Sequence, residues 1–78
     1  MRWIDRLAAT ILIDLKDGSA ALGKGTFPAR IVREISEIIT HEPSLRGYLW
    51  IEKSNRWKFS DSIPEPIQQR IRNVLGSL

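Results

Sequence analysis

The stretch that decides the fold is ILIDLKDGSAAL, residues 11–22. Its first half is rich in residues that favour β-strands. Asp17-Gly18 is a strong hairpin signal, because both central residues of a type I′ turn need a positive φ. The two-residue turn sets two cross-strand pairs on one face of the sheet, Leu15 with Ala20 and Ile13 with Leu22. Residues 11–22 are therefore predicted to form a β-hairpin with one apolar face.

A helix is predicted to follow this hairpin. Residues 23–25 break the strand, and Pro28 suits the first helical turn, where its missing N–H leaves no hydrogen bond unmade. Apolar residues then recur at helical spacing, at Ile31, Ile35, Ile38 and Ile39. Pro43 ends the helix, because the residue before a proline is pushed out of the α conformation. The pattern predicts a helix of roughly fourteen residues with one apolar stripe.

The second half of the chain repeats this order at a distance of 36 positions. The shift carries Phe27-Pro28 onto Ile63-Pro64. It carries the first strand and the helical stripe onto Leu49, Ile51, Ile67, Ile71, Val74 and Leu75. We therefore predict an internal repeat of two strand-strand-helix units, at about residues 11–41 and 47–76.

The register of the second hairpin depends on the length of its loop. A two-residue turn would mix apolar and charged side chains on each face, since a slip of one residue inverts the faces of a strand. A three-residue loop at residues 53–55 separates them, and it places Asn55 at the left-handed position that such loops require. This loop gives two apolar pairs, Ile51 with Trp57 and Leu49 with Phe59. We predict the three-residue loop.

The last helix is predicted to begin at Ser62-Ile63-Pro64-Glu65, which has the spacing of a capping box. Gly76 is a natural C-terminal cap. The complete order is β-β-α-β-β-α in a single domain, residues 1–78. The predicted fold class is α+β, with a four-stranded, mainly antiparallel sheet and both helices on one face. The predicted core is Ile13, Leu15, Leu22, Ile31, Ile35, Ile38, Leu49, Ile51, Trp57, Phe59, Ile67, Ile71 and Val74.

The composition restricts the class of protein. The 78 residues include 12 basic and 9 acidic residues, for a net charge of +3, with one histidine and no cysteine. Disulfides are excluded, and a structural zinc site lacks its usual ligands. No apolar stretch approaches the roughly 18 residues of a membrane span, and no signal peptide is evident, so we expect a cytoplasmic protein. Because a domain of this size buries little surface, we also expect a homo-oligomer.

The segment FSDSIPEPIQQRIRNV, residues 59–74, resembles the C-terminal signature of a family of small uncharacterised bacterial proteins. That signature reads Phe-Ser-x-x-Ile-Pro, three residues, then Gln-Arg-Ile-Arg-Asn-Val; this sequence has four residues in the interval, 65–68. Lys24-Gly25-x-x-Pro28 and Gly47 resemble upstream positions of the same family. Its members are typically preceded by an N-terminal membrane-spanning segment, which this sequence does not show. The family is a domain of unknown function, so the resemblance implies the fold unit and no activity.

The residues form no arrangement that is typical of catalysis. There is no cysteine, no Gly-x-Ser-x-Gly elbow and a single histidine. Residues 23–26, Gly-Lys-Gly-Thr, lack the spacing of a phosphate-binding loop, and a strand-to-helix turn explains them better. Glu34, Glu37 and His41 share a helix face that we interpret as solvated rather than metal-binding. We expect no enzyme, no cofactor and no metal site.

One candidate surface is the face of the sheet away from the helices. The predicted register places Tyr48, Trp50, Arg56 and Lys58 there. Exposed rings among cations are typical of proteins that bind single-stranded nucleic acid. The same rings also suit contact with a second copy of the sheet, or with an N-terminal segment that contains Trp3.

A second candidate surface is the outer face of the last helix, which carries Gln69, Arg70, Arg72 and Asn73. The resemblance singles out these residues, although a solvated face of good helix formers explains them more simply. Our leading expectation is a non-catalytic interaction module that self-associates through the open sheet face or an edge strand. The alternative is a weak single-stranded nucleic-acid binder, aided by Arg70 and Arg72, and an enzyme is third.

Overall fold

The computed structural model describes residues 10–52 and 56–77. The elements are β1 (Ile11–Lys16), β2 (Ser19–Lys24), α1 (Ala29–Ile39), β3 (Gly47–Ile51), β4 (Trp57–Phe59) and α2 (Glu65–Leu75). The order β-β-α-β-β-α and the α+β class are confirmed. All strand pairs are antiparallel, in one sheet with the order β2-β1-β3-β4. The interpretations of Trp3 and Asn55 lie outside the described residues.

The first hairpin has the predicted turn. Asp17 has a φ of 54° and Gly18 a φ of 73°, as a type I′ turn requires. Leu15 lies opposite Ala20, and Ile13 lies opposite Leu22. The register inferred from Asp17-Gly18 is therefore confirmed.

The second hairpin has the register of the three-residue loop. Ile51 lies opposite Trp57, and Leu49 lies opposite Phe59. The remaining pair, Trp50 and Lys58, points to the other face of the sheet. The predicted separation of apolar and charged side chains is confirmed.

The two hairpins meet at β1 and β3, which form the centre of the sheet. Ile13 lies opposite Leu49 and Leu12 opposite Trp50. Ile13 and Leu49 are fully buried on the face that carries the helices, and Leu12 and Trp50 are buried on the other face. Both faces of the central strands are therefore excluded from solvent at this position.

The main core lies between the sheet and both helices. Its buried residues are Ile13, Leu15, Ala20, Ile31, Ile35, Ile39, Leu49, Ile63, Ile71 and Leu75. Most of the predicted core belongs to this cluster or packs against it. Leu22 was predicted as core but is 39% exposed, because β2 is an edge strand with a neighbour on one side only. Ile51 is half-buried and Ile39, rather than Ile38, is fully buried.

The helix ends differ from the predictions in three places. Pro28 is the N-cap of α1, with a ψ of 126°, and not a residue of its first turn. α1 has 11 residues and ends at Ile39 rather than near Pro43. A helix through Pro43 would bring the proline ring against the carbonyl four residues earlier, at Ile39. The capping box at Ser62 is wrong, since Pro64 is the N-cap of α2 and the Ser62 hydroxyl lies 3.0 Å from the Ser60 hydroxyl.

The C-terminal end of α2 follows the prediction. Gly76 is the C-cap, and its N–H donates to the carbonyl of Arg72 at 2.9 Å.

Neither helix of the described residues combines the length and the apolar character that a membrane crossing requires.

Candidate functional site

The β4 edge presents unpaired main-chain groups. The N–H of Ser60 donates to the carbonyl of Tyr48 at 2.9 Å, so the main chain at position 60 points towards β3. In an antiparallel pair, alternate residues direct their N–H and C=O to the partner strand and away from it. Trp57 and Phe59 therefore point their N–H and C=O outward. Within the described ranges, no hydrogen bond reaches these outward groups.

The other edge of the sheet, β2, is covered at the equivalent place. The N–H of Ala20 donates to the Ser36 hydroxyl at 2.8 Å, and that hydroxyl lies 3.3 Å from the carbonyl oxygen of Ala20, to which it donates. One side chain of α1 thus occupies both outward main-chain groups of Ala20. A strand added at β2 would have to displace Ser36.

Ser36 of α1 and Arg72 of α2 make different contacts beside the two edges. Ser36 is the eighth residue of α1, counted from Ala29, and Arg72 is the eighth residue of α2, counted from Glu65. Arg72 does not cap β4. Its guanidinium lies over the ring of Phe59, 4.8 Å from the centroid, and 3.7 Å from the carboxylate of Glu65. No side chain of the described residues therefore covers the outward main-chain groups of β4.

A cleft lies beside β4, between this strand and the C-terminal end of α2. It has a volume of about 410 Å³ and is lined by Arg56, Trp57, Arg72, Leu75 and Gly76. The Trp57 ring is held by an edge-on contact with Phe27, at a centroid distance of 5.5 Å. The lining of the cleft thus combines apolar residues with two basic residues, Arg56 and Arg72.

Glycine at position 47 allows the approach of the chain that follows β4. A Cβ atom there would lie 2.7 Å from the hydroxyls of both Ser60 and Ser62. The Ser60 hydroxyl is buried, and it accepts the N–H of Tyr48 at 3.0 Å. Any larger residue at position 47 would push this serine pair away and disturb the end of β4.

On the far face of the sheet, Trp50 is not exposed as expected. Only 3% of Trp50 is accessible, and Tyr48 packs against it at a ring centroid distance of 5.3 Å. The expectation of an exposed Trp50 is wrong, because strand alternation shows which face a residue lies on and not whether that face is covered. Two rings free to stack on bases are therefore not presented there.

Glu52 joins Trp50 and Lys58 through its carboxylate, and the sequence did not single it out as a candidate residue. Its carboxylate accepts the Trp50 indole N–H at 3.0 Å and the Lys58 ammonium at 3.3 Å. These two hydrogen bonds, the indole first, lower the pKa of Glu52 below its ordinary value. Lys58 is therefore already engaged by a carboxylate. No sequence motif pointed to Glu52, and its partner Lys58 becomes a neighbour only through the β3–β4 pairing.

The four predicted site residues of α2 do not form one surface. Gln69 donates to Asn73 at 3.2 Å along the exposed face of α2, beside the exposed Arg70. Arg72 turns instead towards Phe59 and the cleft. Of the predicted site residues, the structure brings Arg56 and Arg72 together, and it keeps Tyr48 and Trp50 on the opposite face of the sheet.

A second, larger cleft of about 670 Å³ lies at the other end of the central strands. Its polar lining includes Asp14, Lys16, Arg46 and Tyr48. Arg46 reaches Asp17 at 3.4 Å, and both side chains are exposed. In the described part of the chain, no three acidic or histidine side chains form a cluster that could hold a metal ion.

Comparison with known proteins gives a family and no activity. We found no match among curated proteins or solved structures. One family model, described as "Protein of unknown function (DUF3634)", matches residues 3–77. The match covers nearly the whole chain, and the chain therefore belongs to the DUF3634 family of unknown function.

Proposed function

We propose that this chain is a non-catalytic interaction module that binds an extended segment of another polypeptide along the β4 edge. The observation that carries the proposal concerns the main chain of Trp57 and Phe59. Their N–H and C=O groups point away from β3 and have no hydrogen-bond partner within the described residues. Edge strands of this kind accept an added strand through main-chain hydrogen bonds, while pockets for alternate side chains provide specificity. The cleft beside β4 is such a pocket.

The partner at β4 could be a second copy of the same chain, which would make the protein self-associate. Antiparallel self-pairing that overlaps all three residues of the strand is centred on its middle residue, which places Lys58 opposite Lys58. Like charges directly opposite each other destabilise a sheet. A partner of different sequence therefore suits this edge better. The burial of Trp50 also removes the reason for self-association through the far face.

Binding of single-stranded nucleic acid receives no comparable support. Base stacking needs an accessible aromatic face, and Trp50 is buried. The Lys58 ammonium already lies beside the Glu52 carboxylate. We therefore develop the strand-binding proposal alone.

The proposal is tested by tethering a strand to the chain. Gly76 lines the cleft, so a segment fused after Leu78 is joined to the chain two residues beyond a residue of the cleft. A Gly/Ser linker of roughly ten residues spans about 16–19 Å and raises the local concentration to the millimolar range. The fused strand is Thr-Val-Thr-Val-Thr, which carries no charge. The control fusion replaces it with five further Gly and Ser residues.

The measurement is amide hydrogen exchange followed by NMR. We expect the amides of Trp57 and Phe59 to exchange at least about tenfold more slowly in the strand fusion than in the control, because their N–H groups become hydrogen-bonded. The Ser60 amide, which already bonds to Tyr48, should exchange equally in both. Unchanged exchange at Trp57 and Phe59 in every strand fusion would overturn the proposal.

A further inference from the structure

We infer that the segment bound at the β4 edge is acidic and carries an apolar side chain between its carboxylates. This inference rests on the strand addition proposed above and names the chemistry of the partner. Its basis is the lining of the cleft, where Arg56 and Arg72 flank the apolar surfaces of Trp57 and Leu75.

Both guanidinium groups are available to a partner. Arg56 is exposed and forms no ion pair with any residue that the structure describes. Arg72 meets Glu65 at 3.7 Å, with 44% and 75% of the two side chains accessible. A long pair between such exposed side chains contributes little, so a partner carboxylate competes with Glu65 easily. Each guanidinium can then bind a carboxylate with two parallel hydrogen bonds.

The apolar part of the inference follows from strand geometry. Trp57 and Phe59 lie on the face of β4 that carries the helices, since their partners Ile51 and Leu49 point there. A strand added beside β4 sends every second side chain to the same face. That side chain meets the cleft of about 410 Å³ between β4 and α2. An aliphatic or aromatic residue at this position would cover Trp57 and Leu75.

One electrostatic contribution opposes an acidic partner. The C-terminal end of α2 borders the cleft at Gly76, and a helix C-terminus carries about half a negative charge. Two full positive charges on Arg56 and Arg72 outweigh it. The local field in the cleft therefore favours carboxylates over cations.

The same reasoning excludes a second copy as the best occupant. A second β4 brings Arg56 and Lys58 to an edge that is already basic. The other edge strand, β2, has the sequence SAALGK and contains no acidic residue. Neither edge strand of this chain has the alternation of acidic and apolar residues that the cleft selects.

The inference is tested with three charge variants of the tethered strand. These are Glu-Val-Glu-Val-Glu, the uncharged Thr-Val-Thr-Val-Thr and Lys-Val-Lys-Val-Lys, all on the same linker. We expect the slowing of exchange at Trp57 and Phe59 to be at least about tenfold greater for the acidic strand than for the basic one, with the neutral strand between. Raising the salt concentration should reduce the difference, because exposed charges are screened.

Paired variants assign this preference to the cleft. Arg56→Gln with Arg72→Gln should remove the acidic advantage, which is measured within that variant as the ratio of protection by the acidic strand to protection by the neutral strand. Arg33→Gln with Arg70→Gln removes the same charge from exposed positions outside the cleft and should preserve the advantage. Equal protection by all three strands would overturn the acidic preference while the proposed function stands. Loss of the preference in both paired variants would also overturn it, and absence of protection by any strand would overturn the proposed function itself.

Discussion

The two edges of the sheet differ in the helix side chains that lie beside them. At β2, the short hydroxyl of Ser36 bonds to both outward groups of Ala20. At β4, the equivalent helix position holds Arg72, whose longer side chain extends to Phe59 and leaves the main chain uncovered. Natural sheets protect their edges to prevent unwanted pairing. The cover at Ala20 of β2, without a counterpart at β4 among the described residues, supports the proposal that β4 is the binding edge.

The largest expected effect comes from truncating a core residue on which both edges of the sheet depend. Leu49 is fully buried and lies between Ile13 and Phe59 in the sheet. Leu49→Ala should lower the free energy of unfolding by about 2–5 kcal/mol, because it removes buried surface and leaves a cavity. Urea unfolding measures this loss, and Thr26→Ala at an exposed position is the control.

The Leu49→Ala variant also shows whether the two hairpins unfold together. The amides of Ala20 and Ser60 report on the first and second hairpin, respectively. We expect exchange at both amides to accelerate by a similar factor. Acceleration confined to Ser60 would show that the two edges belong to independent units.

A smaller change removes the protection of β2 alone. Ser36→Ala leaves the N–H and C=O of Ala20 without their hydroxyl partner, which should cost about 1 kcal/mol of stability. The Ala20 amide should exchange faster while that of Ser60 is unchanged. Ser44→Ala, at an exposed position, is the matched control. Unchanged exchange at Ala20 would show that Ser36 does not protect the edge.

The smallest expected effect on stability comes from Glu52, which contacts Trp50 of β3 and Lys58 of β4. The indole of Trp50 and the ammonium of Lys58 lower the pKa of Glu52, so the folded chain binds this proton less readily than the unfolded chain. The contribution of Glu52 to stability is therefore present above the ordinary pKa of a glutamate, about 4.3, and is lost as the pH falls through the lower folded value.

Urea unfolding at several acidic pH values measures this contribution. Glu52→Gln should flatten the fall in stability with decreasing pH, whereas Glu42→Gln, at an exposed position, should not. An identical pH profile for Glu52→Gln and the unaltered chain would show that the Trp50–Glu52–Lys58 contacts do not stabilise the β4 side of the sheet.

Local rules predicted much of this fold from the sequence. Asp17-Gly18 determined the first hairpin, and the separation of apolar from charged side chains determined the register of the second. Those signals act between residues that are close in sequence. The strand order, the exposure of Leu22 and the burial of Trp50 depend on how distant segments pack, so alternation and spacing did not reveal them.

The candidate site was predicted only in part. Arg56 and Arg72 were singled out from the sequence, but their common cleft with Trp57 arises because α2 packs beside β4. The hydrogen bonds between Ser36 and Ala20 join residues 16 positions apart, and a serine in a helix carries no signal for such a role. The availability of the β4 edge therefore became evident only from the hydrogen bonds of the folded chain.

The pairing of β1 with β3 has a consequence for the order of events during synthesis. Ile13 can pair with Leu49 only after the ribosome has synthesised α1 and β3, so the centre of the sheet forms late. A two-stranded hairpin is marginally stable alone in water. Until β3 arrives, β1 has one open side and no finished core beneath it. A nascent chain held at this stage is the form of the protein most exposed to chaperones and to aggregation.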